Sequence, residues 1–344
     1  MTSVLRLLAF ALGLAVLGGA AAAQTPERVK VGTTNVASDL AIFIAEEKGY
    51  FRDAGIAVTT APFASGAKMI APLGTGELDA GGGTVAAGLY NAVERGINIK
   101  VVADKASVAE GYEYSTLLVR KDLVDSGRYK SLADLKGMTI AAAAQGAGSE
   151  SAINEALKKG GLKFADANVV YMAFPEMLAA FHNKAIDAGV TNEPTVTRAI
   201  EQGFAVRASP HAIYPGQQTA VLLYADEFIN KRRAVAQRFM NAYIRALRDY
   251  NDALKDGHIA GPGADAIIAI LTKYTRVKNP KVYRDMTPFA ANPDGHVNKA
   301  SLANDFAFFK SRGLISGRVT VDQVIDNSFA DEAVRQLGVY KRKS

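Results

Sequence analysis

The chain has 344 residues, 49% of them hydrophobic and 22% charged, no cysteine, and a formal net charge of +6. The missing cysteine excludes disulfides, thiolate metal sites and a lipid-modified N-terminal cysteine. The positive balance does not point to a nucleic-acid face. Basic residues are dispersed, and the clusters Lys231-Arg232-Arg233 and Lys341-Arg342-Lys343 read as a solvated surface and a tail.

Residues 1–23 carry the pattern of an export signal. Arg6 gives a short positive start, Leu7 to Leu17 form an apolar run of roughly ten residues, and Ala21-Ala22-Ala23 precede Gln24. Such a run is too short to span a bilayer, and cleavage is expected after Ala23. The mature chain is then expected in the periplasm of a Gram-negative cell. What remains, about 320 residues, is more than one core usually handles, so two lobes are expected.

The first mature element, Arg28 to Thr34, reads as a strand entering a small-residue loop. A helix follows from about Leu40 to Lys48, stopped by Gly49 in the left-handed capping position. Ile56 to Thr59 is a second strand, and Ser65-Gly66 opens a helix ending near Gly74-Thr75-Gly76. This alternation predicts parallel sheets flanked by helices. The plan then repeats. Leu73 to Gly81 aligns without gaps on Phe181 to Gly189, with Asp79-Ala80-Gly81 matching Asp187-Ala188-Gly189. Val31 precedes Asp79 by 48 residues and Ile140 precedes Asp187 by 47. Tyr112 to Arg120 reads as an extended crossing to the second lobe and Thr219 to Tyr224 as the returning strand. Asp226 is expected to cap a long amphipathic helix, with further helices at Ala264 to Tyr274 and Ser301 to Lys310 packing back on the first lobe. The expected domains are a first lobe of 24–112 plus 218–344 and a second lobe of 113–217.

Catalytic patterns are missing. None of His182, His211, His258 and His296 has a partner at H-x-x-x-H spacing, and no G-x-S-x-G elbow exists. Gly146-Ala147-Gly148-Ser149-Glu150-Ser151 meets only the start of a dinucleotide fingerprint, and no Lys-Ser/Thr follows to make a P-loop. No cofactor, metal site or enzymatic activity is expected. Gly81 to Thr84 and Gly146 to Ser151 read instead as loops between strand and helix, whose backbone N–H groups can grip a polar ligand at the sheet edge.

Ala45-Glu46-Glu47-Lys48-Gly49-Tyr50-Phe51, followed by Gly55-Ile56, resembles a signature of the substrate-binding proteins of ABC importers for alkanesulfonates, nitrate and thiamine-type pyrimidines. Leu73 to Gly83, Gly96 to Val101, Leu132 to Ile140 and Asn192-Glu193-Pro194 follow in the family's order. The resemblance implies an α/β, two-lobed, type II periplasmic-binding fold with two crossing strands as hinge. It implies a monomer that closes on a small molecule and delivers it to an inner-membrane ABC permease. Carried over by position, the ligand contacts would be Thr34, Asn35, Ser65, Gly66, Thr84, Gly146, Ser149, Phe174 and Glu193. Glu193, with Glu110 and Glu113 beside Tyr112 and Tyr114, leans toward a neutral or cationic heteroaromatic ligand over a sulfonate or carboxylate. Two alternatives stand beside this reading. One is a periplasmic sensor without a permease; the other is a pyrimidine-synthase-type enzyme on the same fold, which the missing cysteine and the export signal disfavour.

Overall fold

The computed structural model describes residues 25–63 and 65–343; the expected export signal lies outside them. Two five-stranded sheets carry the molecule. The first contains β1 (Glu27–Thr33), β2 (Ile56–Pro62), β3 (Ala80–Gly83), β4 (Ile99–Ser107) and β10 (Gln218–Ala225), in the order β2-β1-β3-β10-β4. The second contains β5 (Ser115–Arg120), β6 (Thr139–Ala142), β7 (Asn168–Tyr171), β8 (Ala188–Asn192) and β9 (Ala205–Arg207), in the order β7-β6-β8-β5-β9. Each sheet is parallel except for one strand. That strand, β10 in the first sheet and β5 in the second, runs antiparallel to both neighbours. The chain passes between the sheets over residues 108–114 and returns over 208–217. This is the two-lobed α/β architecture expected from the sequence.

The repeated Asp-Ala-Gly has a physical counterpart in each sheet. Asp79 Oδ2 accepts from Lys30 N at 2.8 Å, and Asp187 Oδ2 accepts from Thr139 N at 3.0 Å. The following Ala-Gly pairs lie in the same parallel register, Ala80 and Gly81 against Val31 and Gly32, Ala188 and Gly189 against Ile140 and Ala141. In both places the carboxylate takes up an amide that the ladder leaves unpaired where a strand begins. A cation supports each one, Arg232 Nη1 at 2.8 Å from Asp79 Oδ1 and Arg120 Nη1 at 3.5 Å from Asp187 Oδ1.

Three local expectations differ from what is found. The Gly81-Gly82-Gly83 run is strand, not loop, because other groups lie where its side chains would be. A Cβ on Gly82 would lie 2.5 Å from Lys105 Cε, and one on Gly83 would collide with Gly66 Cα. The long helix after β10 is two, Asp226–Asn230 and Arg233–Ala253. It breaks at Arg232, whose guanidinium turns back to Asp79 and to the Arg28 carbonyl. Tyr112 lies in a turn closed by Tyr112 N donating to Ala109 O, and the extended segment begins at Ser115.

The largest apolar core joins the first sheet to Leu40–Glu47, Arg233–Ala253, Ala264–Tyr274, Lys299–Ser311 and Ser328–Leu337. The Arg233–Ala253 helix buries Phe239, Tyr243, Leu247 and Tyr250 along one stripe. The second sheet has smaller apolar clusters on its two faces, one around Ile140, Ile153 and Leu157 and one around Leu118, Met177 and Phe181.

Candidate functional site

The carboxyl ends of β1, β3 and β4 lie on one edge of the first sheet, and those of β6, β7 and β8 on one edge of the second. Parallel pairing puts the strand-to-helix loops there, where open α/β sheets hold ligands. The two edges meet. Ala86 and Ala147 form an antiparallel bridge, Ala87 N donates to Gly146 O at 2.9 Å, and Gly148 packs beside the Thr84 methyl. Gln217, on the returning crossover, donates from Nε2 to Gly148 O at 2.7 Å.

Five of the expected ligand residues gather at this junction. Gly66 and Gly83 bring two first-lobe loops into backbone contact, since a Cβ on Gly66 would lie 2.8 Å from Gly83 Cα. Ser65, extended and exposed, precedes Gly66, and Thr84, also exposed, follows Gly83. Gly146, at φ 68°, faces the Ala87 methyl from the second lobe. Ser149 follows on the same loop, but its Oγ accepts from Ala143 N at 3.0 Å, so the hydroxyl holds its own loop together.

Thr34 and Asn35 sit at the end of β1 in a loop organised by Asp39. Asp39 Oδ2 accepts from Thr34 N at 3.0 Å, Thr34 Oγ1 at 3.1 Å and Val36 N at 3.2 Å. Asn35 adopts φ 54°, a left-handed conformation Asn tolerates, and its Oδ1 accepts from Thr33 Oγ1 at 2.8 Å. Val36 is left 47% exposed. Behind the loop lies a buried cation: Lys105 Nζ sits 3.0 Å from Asp39 Oδ1 and donates to Ser38 Oγ at 2.8 Å, with both charged side chains 1% exposed or less.

Two expected contacts are placed elsewhere. Phe174 packs into the Met177–Phe181 apolar cluster of the second lobe. Glu193 follows β8, but its carboxylate is engaged: Oε2 accepts from Thr197 N at 2.9 Å, Oε1 from Thr197 Oγ1 at 2.9 Å and from Thr287 N at 3.3 Å. Burial pushes its carboxyl above the usual glutamate range while these bonds oppose the rise. The neighbouring acids are also accounted for. Glu113 Oε2 lies 3.7 Å from Arg207 Nη1, and Glu110 is exposed, 3.7 Å from His211 Nδ1. Tyr114 is buried and donates to Thr219 Oγ1 at 2.8 Å. The acidic, aromatic cleft surface expected from these residues is therefore mostly internal hydrogen bonding and ion pairing.

Sequence reading missed a recurring device. Helix starts at this edge carry their own carboxylates: Asp39 before Leu40–Glu47, Glu150 accepting from Gly146 N at 2.7 Å, Glu176 accepting from Ala173 N at 3.1 Å, and Glu193. Each takes up N–H groups of the adjoining loop or first helical turn and offsets the positive end of its helix. The available clue was an acid three or four residues from the amide it takes up, as in Val36 and Asp39, Gly146 and Glu150, Ala173 and Glu176, and Glu193 and Thr197. Lys105 had one too, as half of an Asp-Lys pair inside the apolar strand Ile99–Ser107. Asp104 is likewise buried; it accepts from Gln218 Nε2 and Asn292 N, and burial raises its carboxyl to about 6.

Comparison with known proteins agrees with this geometry. The profile of the NMT1-like family matches residues 22–260. A Brachyspira hyodysenteriae protein named as an ABC transporter periplasmic binding protein is 30% identical over 210 residues, 58% of each chain. An Escherichia coli protein named as aliphatic sulfonates-binding is 27% identical over 207 residues, 59% of this chain and 61% of that one. The matches thus span less than two thirds of these relatives' own lengths. Among solved structures, the periplasmic aliphatic sulphonate binding protein of Escherichia coli superposes with a TM-score of 0.68 at 21% identity, covering 88% of this chain and 92% of that one. The periplasmic nitrate-binding protein of Synechocystis superposes at 0.72 and 14% identity, covering 92% and 90%. The two-lobed fold with its facing strand ends is therefore that of periplasmic binding proteins, and the chain belongs to the NMT1-like family.

Proposed function

We propose that this protein is the periplasmic solute-binding component of an ABC importer, holding a small organic molecule between its two lobes and presenting it to a permease. The observation that carries the reading is the meeting of the two sheets' carboxyl edges, where Ser65-Gly66, Gly83-Thr84 and Gly146 to Gly148 come together. Small residues and backbone N–H groups suit reversible capture. Among the described residues, no group of three or more His, Asp or Glu is placed to hold a metal ion. No described helix is long and apolar enough to cross a membrane. The names of the relatives support the same role.

For the ligand, the capping carboxylates argue against a bare inorganic oxyanion seated on helix N-termini. They occupy amides that such an anion would otherwise use, while Lys105 and Arg312 balance the charges of Asp39 and Glu150. A neutral or heteroaromatic molecule fits this electrostatic setting. One observation favours a sulfonate or carboxylate instead: the helix start at Ser65-Gly66 has no capping carboxylate, and Lys68 is exposed beside it. Calorimetry with ethanesulfonate, nitrate and an aminopyrimidine separates these ligands. Tight ethanesulfonate binding with no aminopyrimidine binding would overturn the neutral-ligand reading. Mass spectrometry of the molecule retained through purification tests capture itself, and a chain that retains and binds nothing would remove the importer role.

A further inference from the structure

We propose that Lys105 is the positioning residue of the ligand loop after β1, acting on it through Asp39. The proposal rests on the cleft reading above for the loop's purpose. The contact itself is independent of that reading.

The lysine reaches its partner across the sheet. β4 and β3 are separated by β10, and the Lys105 stem passes over Gly82, where a Cβ would lie 2.5 Å from Cε. A side chain at position 82 would block the path, which gives the middle glycine of the triple-glycine strand its role. The ammonium ends against Ser38 Oγ and Asp39 Oδ1, leaving Oδ2 to take Thr34 N, Thr34 Oγ1 and Val36 N.

Burying both charges is poor value for stability alone, because a well-packed apolar pair of similar volume is often as stable or more so. What the pair supplies is a fixed, ionised acceptor inside the fold. An ionised carboxylate accepts three donors at once, and those three donors are the ones that hold Asn35 at φ 54° and keep Val36 turned outward. Without the ammonium, Asp39 must either bind a proton or move toward water, and both release the loop.

Amide hydrogen exchange of the full exported chain reads this directly. In Lys105→Met, exchange at Thr34 and Val36 should rise by about tenfold or more relative to the Arg233–Ala253 helix. Adding Asp39→Asn should return most of the protection, since a neutral amide needs no counter-ion and still accepts through its Oδ1. Recovery by charge compensation is a result that a merely space-filling lysine would not give. Unchanged exchange in Lys105→Met, or no recovery in the double variant, overturns the proposal. If Lys105→Met does not fold, the double variant decides alone: wild-type protection at Thr34 and Val36 supports the role, and lost protection overturns it. The exchange measurement needs no ligand. A wild-type chain that retains no small molecule would therefore overturn the cleft reading and leave the contact between Lys105 and the loop standing.

Discussion

The two lobes solve one electrostatic problem in different ways. In each, the helix that follows the central parallel strand begins with a buried carboxylate gripping backbone N–H groups of the preceding loop, Asp39 after β1 and Glu150 after β6. In the first lobe the counter-ion is Lys105, from the same sheet and sealed from water. In the second it is Arg312, 2.8 Å from Glu150 Oε1, which follows the Lys299–Ser311 helix and lies over the Phe164 ring, 4.2 Å from its centroid. Tyr171 also donates to Glu150, at 2.6 Å. One loop is thus set by its own lobe, and the other is set by the position of its partner lobe.

The largest effect that can break this comparison is on stability. Lys105→Met strands Asp39 as a buried unpaired charge and should cost about 3–5 kcal/mol. Arg312→Met leaves the equally buried Glu150 with Gly146 N and Tyr171 OH, but water can reach the partly exposed place of the guanidinium, and the change should cost about 1.5–3 kcal/mol. Urea denaturation of both variants checks the order, and equal losses would erase the distinction between a sealed and a shared counter-ion. Next come the repeated aspartates. Asp79→Ala and Asp187→Ala each remove a charge-assisted bond at a strand start together with the contact to Arg232 or Arg120, and should each lose about 1.5–3 kcal/mol. Similar losses from the two would sharpen the equivalence of the lobes, and a loss at one site only would break it.

A pH-dependent effect sits at the seam. Asp305, on the Lys299–Ser311 helix, accepts from Tyr214 OH at 3.0 Å and from Ser151 of the second lobe, and burial raises its carboxyl to about 7. Nearby Glu155 pushes in the same direction. Because the folded value lies above the unfolded 3.8, the folded chain holds the extra proton between these limits. The contribution of Asp305 is therefore fullest at acid pH and is lost as pH rises toward 7. Asp305→Asn should flatten the dependence of melting temperature on pH between about 4 and 7; a parallel slope in wild type and variant would remove the group from the seam's titration. The smallest effect is expected at Asn35→Gly. It keeps the left-handed backbone but drops the bond from Thr33, so less than about 1 kcal/mol should be lost, with exchange changing only around residues 34–36.

The fold was legible because its determinants are periodic and local. The Lys48-Gly49-Tyr50-Phe51 stop, the alternation of strand and helix, and the two Asp-Ala-Gly turns all write their geometry into short segments, and Gly49 indeed sits at φ 73°. In the candidate site the small residues were the legible part, since Gly66, Gly83 and Gly146 stand where two backbones or two lobes approach. Its charges were not. Glu193, Glu110 and Glu113 read as cleft-facing because sequence shows a carboxylate and not its partner. The partners of Glu110 and Glu113, His211 and Arg207, lie 101 and 94 residues away, and Glu193 meets Thr287, 94 residues away, besides Thr197 four residues on. Lys105 lies 66 residues from Asp39 and Arg312 lies 162 residues from Glu150, so nothing local announced either pair.

Gln217 and Gln218 are neighbours that face different lobes. Gln217 holds Gly148 of the second, while Gln218 Nε2 donates to Asp104 and to the Ala106 and Ala220 carbonyls and its Oε1 accepts from Asn298 N, all of the first. A single peptide unit therefore separates the grips on the two halves.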